Sequence, residues 1–355
     1  MNVVASIEPD LIVRREGAAG VIRLNRPKAL NALTLEMTRE IATALDAFEA
    51  DPAVALVILE GAGERGLCAG GDIRGLYESA KAKGDLGKIF WGEEYVVNAR
   101  IAEYPKPYVA YMDGFVMGGG IGLAGHASHR IVTEKTKVAM PEVSLGFFPD
   151  VGGTWLLSRA PGELGTYFGL TGFTMNGADA VFCHLADIRI ASGDWPSLRA
   201  ALTRVSLGAD ASSVMATITA FAALDETGPV SRRRELIDRA FAHDSIEEIF
   251  AALEQDGLDF AQVTLTAMRD KSPRGLKVTL KLLRLARAST SLEECLSREY
   301  QAALEVFDTA DFVEGVRAAI IDKDRNPKWQ PSTVEQVTPE IVARYLAKRD
   351  VELKF

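Results

Sequence analysis

Two glycine-rich turns constrain this chain more than any other feature, because each lies behind an apolar run that reads as a buried strand. The first is CAGGDIRGL at 68–76, downstream of VALVILEG at 54–61. The second is MDGFVMGGGIGLAGHA at 112–127, which continues PYVAYMDG at 107–114 and opens a helix. A short apolar run bounded by Gly or Pro fits a strand buried on both faces. HRIVTE at 129–134 and DIRIA at 187–191 read as two more strands, and LIVRREGAAGVIRLN at 11–25 as two short ones about a Gly-containing turn. Residues 34–50 have helical spacing: Met37, Ile41, Leu45 and Phe48 share one stripe, Thr34 is placed to cap, and Asp51-Pro52 ends the run. Strands alternating with Gly-rich loops and helices predict an α/β fold.

The pattern changes near residue 205. Glycine thins out, and residues 234–255 and 275–321 read as helices. We therefore expect an α/β core over 1–205 and an appended helical region over 206–355. KAKGDLGK at 81–88 reads as a polar surface loop.

Composition excludes several functional classes. Forty Lys and Arg against 49 Asp and Glu leave a net charge of −9, which disfavours a nucleic-acid partner. No apolar stretch approaches the ~18 residues that a membrane helix needs. Three cysteines (Cys68, Cys183, Cys295) make no CxxC pair, as expected in a reducing compartment. The opening MNVVASIEPDL lacks a basic segment followed by an apolar one, so a cytoplasmic protein is expected.

The Gly turns suggest chemistry. A helix opening at 118–120 presents unpaired N–H groups. Two such turns facing one point would form an oxyanion hole from main-chain amides; alone, either turn could simply tighten a connection. Neither matches GxxxxGK[ST], and MGGGIG lacks the G-x-G-x-x-G spacing, so neither a P-loop nor a dinucleotide site is expected.

Taken together, RPKALNAL at 26–33, CAGGD at 68–72, MGGG at 117–120 and MPE at 140–142 resemble the crotonase (enoyl-CoA hydratase/isomerase) superfamily in order and spacing. The resemblance implies a spiral of ββα units, an acyl-CoA substrate, and oxyanion amides carried by Gly71 and Gly119. WGEEYVVN at 91–98, MPEVSLGFFPDVGGTW at 140–155 and DFVEGVRAAIIDKDRNPKWQP at 311–331 look like the branch that hydrolyses 3-hydroxyisobutyryl-CoA in valine breakdown. It implies no separate cofactor, since CoA is part of the substrate. The superfamily usually forms trimers, although the helical tail could occupy the surfaces used for assembly.

One departure carries chemical weight. A hydratase of this family carries a Glu three residues after the second oxyanion glycine, and two carboxylates bracket the added water. This chain has Gly122 there, so the two-acid mechanism cannot run unaltered. Glu142 is then expected to attack the thioester or activate a water, within an apolar pocket of Val143, Leu145, Phe147 and Phe148. Asp150 and Glu94 would place the acyl hydroxyl or the water. Against these roles stand a surface or capping Glu142, an Asp150 that caps a helix beginning near 151–152, and a Glu94 on a solvated helix face. An Asp150 acting as second acid of a dienoyl-CoA isomerase-like site is a further alternative. His126 and His129 lack a third ligand for a metal, and Cys68 reads as a small buried side chain. Arg317 and the basic residues of 323–328 could meet CoA phosphates. The rivals to hydrolysis are an enoyl-CoA hydratase or isomerase, and a silent acyl-CoA-binding protein on the same fold.

Overall fold

The computed structural model describes residues 8–223 and 227–355; the first seven residues of the opening segment MNVVASIEPDL lie outside the described residues. Among the described residues, ten strands form two sheets: β1 (Leu11–Glu16), β2 (Ala19–Leu24), β3 (Leu56–Gly61), β4 (Gly66–Cys68), β5 (Tyr108–Met112), β6 (Phe115–Met117), β7 (His129–Val132), β8 (Lys137–Ala139), β9 (Met175–Asn176) and β10 (Ile188–Arg189). The larger sheet runs β1-β2-β3-β5-β7-β10, antiparallel only at the β1–β2 hairpin. Its apolar strands serve two cores, because successive side chains alternate faces. Leu56 and Ile58 of β3 pack with Val21 and Val109 on one side. Val57 and Leu59 face the larger core, which also takes in residues as distant as Leu11 and Tyr345.

The smaller sheet, β4-β6-β8-β9, places the site. β4, β6 and β8 are parallel, with Cys68 beside Val116 after a register shift between Gly66 and Cys68, and Met117 beside Ala139. Each belongs to a repeat: a strand in the large sheet, a short strand in the small one, then a helical turn. Residues just beyond the ends of these strands must therefore meet. Those residues are Gly70-Gly71, Gly118-Gly119 and Pro141-Glu142.

Five helices matter to the site: α1 (Leu35–Ala50), α2 (Ile73–Lys81), α3 (Leu86–Ala102), α4 (Gly119–Ala124) and α5 (Gly153–Ser158). Thr34 caps α1 as expected, accepting from the Met37 amide at 3.2 Å. The expected loop at 81–88 shrinks to 82–85, because α3 begins at Leu86. The run 234–255 divides into helices Arg234–Phe241 and Ile246–Asp256, where Ser245 caps the second. The run 275–321 divides at Ser291, the cap of helix Leu292–Phe307. That helix packs on α3, and helix Ala310–Val316 packs on α2 and on the 3₁₀ turn Glu142–Leu145. Among the described residues, no helix is long and apolar enough to cross a membrane.

Candidate active site

A cavity of about 70 Å³ lies where the three strand ends meet. Its lining includes Gly70, Gly71, Gly118, Gly119, Glu94, Glu142 and Asp150. The two glycine turns face each other. A Cβ built on Gly119 would stand 3.5 Å from the Gly71 nitrogen and would collide with Glu94 Oε1. A Cβ on Gly118, whose φ is +49°, would stand 3.0 Å from Glu142 Oε1. The missing side chains leave backbone amides and carboxylates within reach of one small group.

Glu142 opens the 3₁₀ turn Glu142–Leu145 and is 8% exposed, which rules out a surface or helix-capping role on solvent. Its Oε2 is buried and has no hydrogen-bond partner among the described residues. Burial, reinforced by the nearby Asp150, holds its pKa well above the ordinary carboxylate range.

Asp150 is buried too, and its carboxylate accepts a hydrogen bond from Tyr95 Oη at 2.6 Å. Burial pushes its pKa up to about 7, while the Tyr95 bond opposes the rise. It does not cap a helix. The cap of α5 is Gly152, with no side-chain cap bond, and Asp150 contributes only its carbonyl, to the Gly153 amide at 2.6 Å. The capping alternative is therefore corrected: the carboxylate turns into the pocket.

Glu94 is 2% exposed, not on a solvated face, and its Oε1 is buried and unpartnered. Burial, then repulsion from Asp150, raises its pKa well above normal. The adjacent Glu93 points outward and pairs with Arg39 at 2.7 Å. Burial raises the pKa of all three carboxyl groups in this pocket, which favours protonated forms among them near neutrality. Such a cluster can take a proton at one oxygen and give one at another.

The segment WGEEYVVN shows why α3 matters. Trp91, Glu94, Tyr95 and Asn98 fall three or four residues apart, hence on one helix face. Trp91 and Glu94 line the cavity, Tyr95 holds Asp150, and Asn98 lies against Gly122. Tyr95 and Asn98 were not singled out from the sequence, although the i, i+4, i+7 spacing from Trp91 carried the signal. A Cβ at Gly122 would sit 2.8 Å from Asn98 Nδ2 and 2.8 Å from the Val151 Cβ. The space that a second acid would need is already filled.

The apolar wall differs in part from expectation. Leu145 and Phe147 line the cavity, while Val143 and Phe148 are buried behind it. Phe90, Trp91 and Phe312 complete the wall, with Trp91 and Phe147 stacked at 5.0 Å. Phe312 comes from the helical region, which thus contributes directly to the pocket.

Other singled-out residues are committed elsewhere. His126 Nε2 bonds to the Val151 carbonyl at 2.8 Å, and His129 Nε2 to the Ala211 carbonyl at 2.8 Å. Burial lowers the His126 pKa to about 4, so its ring stays neutral. Cys68 is fully buried and its thiol pKa is pushed up to about 12 by burial, as for an inert side chain. Arg317 is tied to Glu314, Asp322 and Asp324 within its own loop, which leaves it poorly placed for a phosphate.

Facing amide turns and shared buried carboxyls on stacked ββα units define an acyl-thioester enzyme of the crotonase type. The chain belongs to the enoyl-CoA hydratase/isomerase family, whose model matches residues 19–346. Its curated relatives include the mitochondrial 3-hydroxyisobutyryl-CoA hydrolases of Danio rerio and Homo sapiens. The first is 41% identical over 97% of this chain and 92% of its own length. The second is 39% identical over 93% and 86%. A crystal structure of a carnitinyl-CoA dehydratase from Mycobacterium thermoresistibile is 44% identical, with TM-score 0.92 over 98% of both chains. One of an enoyl-CoA hydratase from Rhodobacter sphaeroides is 43% identical, with TM-score 0.89 over 98% of this chain and 100% of its own.

Proposed function

We infer that this chain hydrolyses a 3-hydroxyacyl-CoA thioester, converting 3-hydroxyisobutyryl-CoA and water to 3-hydroxyisobutyrate and free CoA. The observation that carries this reading is the filled space at Gly122. The similar solved structures are described as a dehydratase and a hydratase, yet hydration across a double bond in this family uses a second acid at that position. Here Asn98 and Val151 occupy its volume. Similarity to 3-hydroxyisobutyryl-CoA hydrolases along nearly the whole chain supports the same choice.

In this reading the thioester carbonyl points between the Gly71 and Gly119 amides, which stabilise the negative charge that develops on it. Glu142 either takes a proton from a water that adds to the carbonyl, or adds to the carbonyl itself with loss of the CoA thiolate, after which water hydrolyses the acyl–Glu142 anhydride to the free acid and restores the carboxylate. Asp150 and Glu94 bind the acyl hydroxyl or the water. A protonated neighbour among the three carboxyls can deliver a proton to the departing CoA sulfur. The aromatic wall excludes bulk water and strengthens these interactions.

The test is thiol release from 3-hydroxyisobutyryl-CoA and from isobutyryl-CoA, with hydration of crotonyl-CoA measured beside it. A site that reads the hydroxyl should prefer the first thioester by at least about tenfold in kcat/KM, since the deoxy analogue leaves a buried carboxyl unpartnered. Hydration of crotonyl-CoA should be negligible. Efficient hydration without thiol release would overturn the reading in favour of a hydratase.

A further inference from the structure

The helix Leu292–Phe307 delivers a carboxylate to the back of the site. Glu299 is fully buried, and its carboxylate accepts three donors from the turn after Asp150 and the first turn of α5. The Gly152 amide donates to Oε2 at 2.7 Å. The Thr154 amide and hydroxyl both donate to Oε1, at 3.0 and 2.5 Å.

This turn needs holding. Val151 has φ +54° and Gly152 φ +75°. The left-handed region is unfavourable for a β-branched residue such as valine, and it persists only when its surroundings impose it. His126 binds the Val151 carbonyl from one side, and Glu299 binds the amides from the other. The same helix also braces the residue that grips the Asp150 side chain. Tyr300 packs edge-on against Tyr95, with ring centroids 6.2 Å apart.

A buried carboxylate is a costly way to fill a core, since an apolar side chain would pack without the desolvation. Three donors converge on it, the Gly152 amide from the strained turn and the Thr154 amide and hydroxyl from the start of α5, and they give it a specific task. We propose that Glu299 is a positioning residue for Asp150: it locks the Val151–Gly152 turn and thereby fixes the direction in which the Asp150 carboxylate enters the pocket. The proposal rests on the reading that Asp150 acts on the substrate.

Glu299→Gln keeps the volume but turns an amide NH₂ toward at least one of the three donors. A misplacement of about 1 Å remote from the chemistry can cost as much as ~10²-fold in rate. We expect kcat for thiol release to fall about 10- to 100-fold. KM should stay within about threefold and the circular dichroism spectrum should not change, because Asp150 alone is displaced while Gly71, Gly119, Glu94 and Glu142 keep their places around the acyl group. Thr154→Val removes only the hydroxyl donor, and should lower kcat by about 3- to 10-fold with KM preserved. It decides the matter if Glu299→Gln does not fold. Wild-type kcat in either folded variant, or a KM that rises as much as kcat falls, overturns the proposal while leaving hydrolysis standing. A wild-type enzyme that releases no thiol from any 3-hydroxyacyl-CoA overturns the underlying reading instead.

Discussion

Tyr95 donates its phenolic hydrogen to Asp150 at 2.6 Å, and both residues are buried. This bond joins α3 to the loop after the 3₁₀ turn Glu142–Leu145, and it favours the ionised form of a carboxyl that burial would otherwise keep protonated. It sets both where Asp150 points and at what pH it carries charge.

Tyr95→Phe should therefore shift the pH dependence of the reaction. Without the bond, the Asp150 pKa rises beyond about 7, so its carboxylate forms only at higher pH. The acidic limb of kcat/KM against pH should move upward, with activity at neutral pH falling several-fold. A limb that stays in place or moves down contradicts the assigned role of the bond.

Gly122→Glu should not convert the protein into a hydratase. Its Cβ alone would stand 2.8 Å from both Asn98 Nδ2 and the Val151 Cβ, and overpacking of this kind typically costs about 1–3 kcal/mol. The expected result is a lowered melting temperature, impaired thiol release and no gain in crotonyl-CoA hydration. A stable variant that hydrates crotonyl-CoA would show that the space is available after all.

The sequence made the large sheet legible because its strands are continuous apolar runs, as at 54–61 and 107–114. The smaller sheet went unseen. Its strands are two or three residues long, too short for periodicity to register. Yet β4, β6 and β8 bring the glycine turns to Glu142. The motifs themselves carried Gly71, Gly119, Glu142, Asp150 and Glu94. Tyr95 and Asn98 share the helix face of Trp91, a spacing visible in the sequence, whereas nothing local marks Glu299 as a polar side chain buried through contact with a distant turn.

Glu142 should also lower the stability of the empty enzyme at neutral and alkaline pH. Burial holds its pKa in the folded chain well above the ordinary carboxylate value. The neutral form contributes its stability fully below about 4.5, and that contribution is lost as pH rises toward the raised folded value. Glu142→Gln stays neutral throughout. Its melting temperature should match wild type at acid pH and exceed it at pH 8. A variant no more stable than wild type at pH 8 would argue against the burial of an unpartnered carboxyl.

The central claim is that Glu142 carries the hydrolysis, and the most direct measurement is single-turnover thiol release from 3-hydroxyisobutyryl-CoA by wild type and Glu142→Gln, with binding of the thioester followed separately. Glutamine keeps the shape and removes the lone pair that attacks or takes the proton. We predict a loss of at least about 10³-fold in the rate of thiol release, with binding within a few-fold of wild type. Turnover at the wild-type rate by a folded Glu142→Gln enzyme would contradict the account.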